Sequence, residues 1–113
     1  MKVIIAGSRT INDYKLVKNI LNSSKLRFTE VVSGHAQGVD LLGERWADER
    51  NIPVTEMPAD WKKWGKAAGP KRNKQMAEYA DALVLIWDGK SKGSANMLSV
   101  AIGKKLVIEE YVV

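Results

Sequence analysis

Five short apolar runs, each separated from the next by a helical pattern, limit this chain more than any other feature. They are Val3 to Ala6, Glu30 to Ser33 with Phe28 leading in, Pro53 to Met57, Ala82 to Trp87 and Leu106 to Ile108. A strand with one wet face alternates apolar and polar residues, whereas these runs are largely apolar at consecutive positions and rich in Val and Ile. They read as strands covered on both faces, as in a parallel sheet. The intervening segments supply the cover. Asn12 or Asp13 can cap a helix carrying Leu16, Val17, Ile20 and Leu21 on one stripe, and a second helix presents Val39, Leu42, Trp46 and Ala47 before Pro53. A third starts near Pro70 and runs through Met76, Ala77 and Ala80, and a fourth starts at Ser94, presents Leu98, Ala101 and Ile102, and stops at Gly103.

The alternation β-α-β-α-β-α-β-α-β with right-handed crossovers predicts a Rossmann-like three-layer α/β/α sandwich. Its five-stranded, mostly parallel sheet is expected in the order 3-2-1-4-5. A length of 113 residues fits one domain, spanning 1–113. The single long connection, "PADWKKWGKAAG" from Pro58 to Gly69, shows no clean period. Long loops in small domains are more often functional than not.

In such a sheet, ligands settle beyond the carboxyl ends of the strands. The residues at those ends are "GSRT" after the first run, "SGHAQG" after the second and "DGKSKGS" after the fourth. Each combines glycine with a hydroxyl or a cation, and two lead straight into a helix. Helix starts offer unpaired N–H groups and a partial positive charge, and glycine admits an anion close to the backbone. Gly7, Ser8, Arg9, Ser33, Gly34, Gly38, Gly93 and Ser94 are therefore candidate anion contacts, with Asp40 near the first turn of the second helix. The plainer reading of Gly34 and Gly38 is a tight strand-to-helix turn, with Asp40 stabilising the helix start. Arg9, Arg72 and the adjacent Asn73 belong to the same edge, and an arginine can grip phosphate as a bidentate fork. Trp61, Trp64 and Trp87 are candidate stacking surfaces for a base, although Trp87 ends an apolar strand and suits the core equally.

Several function classes drop out. No G-x-x-x-x-G-K-[ST] or G-x-G-x-x-G stretch is present, so neither a P-loop nor an ordinary dinucleotide fingerprint is supported, and no cofactor is expected. The chain has no cysteine and one histidine, His35, which excludes thiolate or His-rich metal sites, and no metal site is expected. His35 could polarise a ligand or move a proton, but isolated loop histidines more often only hydrogen-bond; no catalytic residue is assigned. The start "MKVIIAGS" is too short an apolar stretch for a signal peptide or a membrane span, which leaves the cytoplasm as the expected location. A formal charge of +5 favours anionic partners without identifying one.

With these residues in view, the chain resembles the YspA-like, cpYpsA-related branch of the SLOG superfamily, which also contains the LOG (lysine decarboxylase-like) and DprA/Smf proteins. The resemblance rests on "AGSRT", "SGHAQGVD", the long block "IPVTEMPADWKKWGKAAGPKRNKQMAEYADALVLIWDG" and "SKGSANM", nearly the whole chain. It implies a Rossmann-like fold that binds nucleotides or nucleotide-derived molecules, in several members as a sensor or processing module; an ADP-ribose-like ligand is one expected candidate. The family's second loop resembles S-G-G-A-x-G-A-D, and His35 stands where the second glycine would be. LOG proteins cleave a nucleotide N-glycosidic bond with an arginine and a glutamate. Arg72 matches the arginine, whereas Met97 occupies the glutamate position, and a thioether cannot do a carboxylate's work. Binding of a phosphorylated nucleotide is thus the leading expectation. The alternatives are hydrolysis of a nucleotide N-glycosidic or phosphate linkage, with Asp40, His35 or Glu78 replacing the glutamate, and DprA-like binding of single-stranded DNA. Self-association is also open.

Overall fold

A computed structural model describes all 113 residues. Strands β1 (Lys2–Gly7), β2 (Glu30–Ser33), β3 (Val54–Glu56), β4 (Ala82–Trp87) and β5 (Val107–Val112) form one sheet in the order β3-β2-β1-β4-β5. Every neighbouring pair is parallel. The Rossmann-like architecture and strand order are those expected from the alternation of apolar runs.

The crossover helices are α1 (Tyr14–Asn22), α2 (Val39–Glu49), α4 (Ala68–Tyr79) and α5 (Lys92–Gly103). The consecutive apolar residues of the central strands divide between two cores. Val3, Ile5, Val84 and Ile86 face Val17 and Leu21 of α1 and Val39, Trp46 and Ala47 of α2. Ile4, Ala6, Leu83 and Leu85 face Met76 and Ala77 of α4 and Met97 and Ala101 of α5. Each fully buried Ile or Leu contributes about 1.5–3 kcal/mol relative to an exposed one, so the two-sided apolar pattern of β1 and β4 dictates their central place.

Local chemistry sets the boundaries. Asp13 caps α1, its carboxylate accepting from the Leu16 amide at 3.2 Å. Helix α4 begins two residues ahead of Pro70, which the first turn tolerates because its amide needs no acceptor there. Helix α5 likewise starts two residues before Ser94, after the extended Ser91. The last strand outruns its apolar signal: pairing with β4 continues to Trp87↔Val112. Its two glutamates find partners there. Glu109 accepts from Ser24 Oγ at 2.7 Å, and Glu110 from Trp87 Nε1 at 2.9 Å. The connection from Pro58 to Gly69 holds one short helix, α3 (Trp61–Trp64), capped by Asp60 and followed by a 3-10 turn at Gly65–Ala67. Four residues are too few to display a helical period. No helix is long and apolar enough to cross a membrane.

Candidate functional site

Ser8 ties the ends of three elements together. Its amide donates to the Ile86 carbonyl at 3.2 Å, its hydroxyl oxygen accepts from the Asp88 amide at 3.0 Å, and its carbonyl accepts from Val39, the first residue of α2, at 3.3 Å. The bends after β1, β2 and β4 therefore meet on one edge. Gly38 makes the close approach feasible. It sits at φ +79°, and a Cβ there would strike the Ser8 carbonyl oxygen and lie 2.7 Å from backbone atoms of Arg9.

A cavity of about 450 Å³ opens where these bends converge. Gly7, Ser8, Arg9, Asp40, Arg72, Asn73, Gly93 and Ser94, all singled out from the sequence, line it. Gly34 and His35 instead line an adjoining groove of about 360 Å³, which shares Arg9, Ala36, Trp61 and Arg72 with the first. Ser33 and Gly38 line neither. The buried Ser33 hydroxyl donates to Glu44 Oε2 at 2.7 Å and accepts from the His35 amide at 3.0 Å, and Gly38 is committed to packing on the β1 bend.

The two helix starts at this edge differ. That of α2 already holds a carboxylate: Val39 donates to Ser8, and Asp40 stands in the first turn, its side chain accepting from the Ala36 amide at 3.2 Å. Asp40 is 5% exposed, and burial pushes its carboxyl from 3.8 up to about 6 despite the Ala36 amide and nearby Arg72. The start of α5 carries no acidic residue in its first turn. The amides of Lys92, Gly93 and Ser94 precede its first helical bond, from Ala95 to the Ser91 carbonyl at 3.0 Å. Ser91 occupies the capping position, yet its hydroxyl caps nothing and is buried without a partner in the cavity wall. Upstream, Asp88 receives the Lys90 and Ser91 amides at 2.8 and 2.9 Å, which holds its carboxyl below the usual range.

Arg72 is braced rather than free-swinging. Its Nη1 donates to the Gly34 carbonyl at 2.7 Å and its Nε to Asn73 Oδ1 at 3.0 Å. Asn73 in turn donates to Asn96 Oδ1 at 2.9 Å and the Gly93 carbonyl at 3.3 Å, joining α4 to α5. A side chain at Gly34 would collide with the Arg72 guanidinium and sit 2.9 Å from Asp40, so that glycine leaves room for both. Burial lowers the Arg72 pKa, but arginine stays charged. Arg9 reaches over Trp61, its guanidinium carbon 5.7 Å from the ring centroid. Trp61 is 48% exposed and lines both spaces, whereas Trp87 is buried in the core.

Among the comparisons, a family model described as YspA, cpYpsA-related SLOG family matches residues 1–64. The chain belongs to this SLOG family. The Gene 61 protein of Mycobacterium phage D29 is 32% identical over 109 residues, covering 88% of this chain and 87% of the relative. DNA processing protein A (DprA) from Streptococcus pneumoniae superimposes with a TM-score of 0.77 at 17% identity, over 96% of this chain. This SLOG chain spans about half (49%) of that structure, and the likeness shows the shared fold.

For a SLOG chain, two features escaped the sequence reading. Ser91 carried a usable signal, a serine directly before a helix without a Glu or Gln three residues on to complete a capping box. Asn96 had none, because its link to Asn73 joins residues on different helices. At the position of the LOG glutamate, Met97 is 1% exposed and packs into the α4–α5 core while its edge reaches the cavity.

Proposed function

We propose that the chain binds a phosphorylated nucleotide or nucleotide-derived molecule, the ADP-ribose type included, in the cavity at the carboxyl edge of the sheet. The observation that carries this reading is the unsatisfied start of α5 beside a buried, unpartnered Ser91 hydroxyl. Amides and hydroxyl together suit an anionic oxygen, and the helix dipole adds to the attraction. Phosphate sits on Gly93 and Ser94, with Arg9 and the braced Arg72 as cationic partners. Gly7, Ser8 and Asn73 complete the wall, and Gly34 and Gly38 shape it. Trp61, held over the opening by α3, offers a face for the base. Asp40 orients the second loop and excludes a second anion from the start of α2. His35 lines the adjoining groove, and the buried Ser33 hydroxyl supports it from behind.

Titration calorimetry with mononucleotides, cyclic dinucleotides, NAD and ADP-ribose tests the reading. A saturable 1:1 isotherm is expected for at least one of them, weakened about tenfold or more by Arg72→Lys, which loses the planar fork. Absence of any binder in the panel overturns it. Chromatography of the same mixtures separates binding from hydrolysis.

One surface feature favours a second reading, attachment to single-stranded nucleic acid. Trp61 and Trp64 are both about half exposed, and Lys63 and Lys71 lie 4.9 and 4.3 Å from the Trp64 ring centroid. Aromatic faces amid lysines suit stacked bases and backbone phosphate. Binding of an oligonucleotide that weakens steeply with salt and is lost in Trp64→Ala supports it; no gel shift at low salt removes it.

A further inference from the structure

His35 is the one histidine in the sequence, yet it does not stand alone in the fold. Residue 35 follows β2, Glu44 lies on α2 and Glu56 ends β3, so three elements deliver their side chains to one spot. The Nδ1 atom lies 2.9 Å from Glu44 Oε2 and 3.5 Å from Glu56 Oε1, and the ligating atoms of all three lie within 4.8 Å of one another. The geometry points to a divalent-cation site at His35, Glu44 and Glu56, with Zn²⁺ as the best-fitting ion.

The spacing carries the argument. Two ligand atoms each about 2.1 Å from one ion, at angles between octahedral and tetrahedral, are roughly 3.0–3.4 Å apart. Both histidine–carboxylate separations fall within about 0.1 Å of that range; the third pair lies within 4.8 Å, and an ion draws in the half-exposed Glu56 to close it. In the absence of an ion, one Nδ1 faces two carboxylates and carries at most one proton, enough to satisfy one of them. A cation satisfies both. Glu44 is aimed by a further layer: its Oε2 accepts from Ser33 Oγ at 2.7 Å, and Ser33 Oγ accepts from the His35 amide at 3.0 Å. Such outer partners orient ligands at built metal sites. His35 itself is held at φ 58°, a conformation that glycine adopts more readily. The donor set is one nitrogen and two oxygens without sulfur, which suits Zn²⁺ or Mn²⁺ better than Mg²⁺ or Ca²⁺ with their preference for all-oxygen shells. Three protein ligands leave a coordination position open, and His35 lines the groove shared with Arg9 and Arg72. The site is independent of the nucleotide reading, since none of its ligands touches the cavity at α5.

Calorimetry and thermal unfolding of the full chain in metal-free buffer, with Zn²⁺, Mn²⁺, Mg²⁺ and Ca²⁺ added singly, test this site. Expected are 1:1 binding of Zn²⁺ with micromolar or tighter Kd, a raised Tm, and weaker or no binding of Mg²⁺ and Ca²⁺. Glu56→Gln and His35→Gly should each weaken Zn²⁺ at least tenfold. His35→Gly relieves the left-handed backbone, so its metal-free Tm should be equal or higher, which separates lost ligation from lost folding. Non-saturating binding, or binding indifferent to both His35→Gly and Glu56→Gln, overturns the site.

Discussion

Removing the charge of Asp40 should change how stability depends on pH. Asp40 is buried behind the bend after β2, and burial raises its carboxyl from 3.8 to about 6. The native state therefore keeps a proton that the unfolded chain has already released, and its stability falls as pH rises through that interval and levels off above it. At 1.36 kcal/mol per pKa unit, the whole effect is about 3 kcal/mol, of which about 2 kcal/mol falls between pH 4.5 and 7.5. Asp40→Asn abolishes the titration while its side-chain oxygen can still accept from the Ala36 amide. The new amide protons need partners, so the absolute stability of the variant also moves, by an amount independent of pH. Urea unfolding of both proteins at half-unit steps isolates the difference. The stability of the variant should gain on that of the parent by about 2 kcal/mol between pH 4.5 and 7.5. Parallel curves across that window would show that Asp40 ionises normally, and the account of a desolvated carboxylate braced by one amide would be wrong.

Two further substitutions probe the assembly of the site. Gly38→Ala forces a side chain into the backbone of Ser8 and Arg9 at a positive φ, and should lower unfolding free energy by about 2 kcal/mol or more by urea titration. Met97→Glu restores the LOG-type carboxylate in a position only 1% exposed among apolar neighbours. It should destabilise by about 3 kcal/mol or more at pH 7 and by less near pH 4.5, where the acid is neutral. A variant as stable as the parent at pH 7 would mean that the position opens to solvent.

The fold was legible because its signals are local and repeated. Consecutive apolar residues in Val3–Ala6 and Ala82–Trp87 can be buried only on both faces, and that alone requires helices above and below. What pattern reading misjudged was the length of β5, because Glu109 and Glu110 look like loop until Ser24, Lys25 and Trp87 are seen to donate to them. Much of the candidate site was legible too, since glycine, hydroxyl and arginine at strand ends are marked by position along the chain. The division of labour among them was not. Gly34 and Gly38 carry the same signature as Gly93, yet the first two make room for Arg72 and the β1 bend, while Gly93 stands at an open helix start.

By itself, then, the amino-acid sequence determined the alternation of strands and helices, the central place of β1 and β4, and the edge at which polar bends gather. Those follow from which residues must leave water and in what period. The tertiary structure alone decided that the α5 start opens on the cavity beside a buried Ser91 hydroxyl, how Arg72 was braced through Asn73, and that His35 would meet Glu44 and Glu56. These contacts join residues from different elements, and no rule of local sequence fixes the distance between side chains that only a folded sheet brings together.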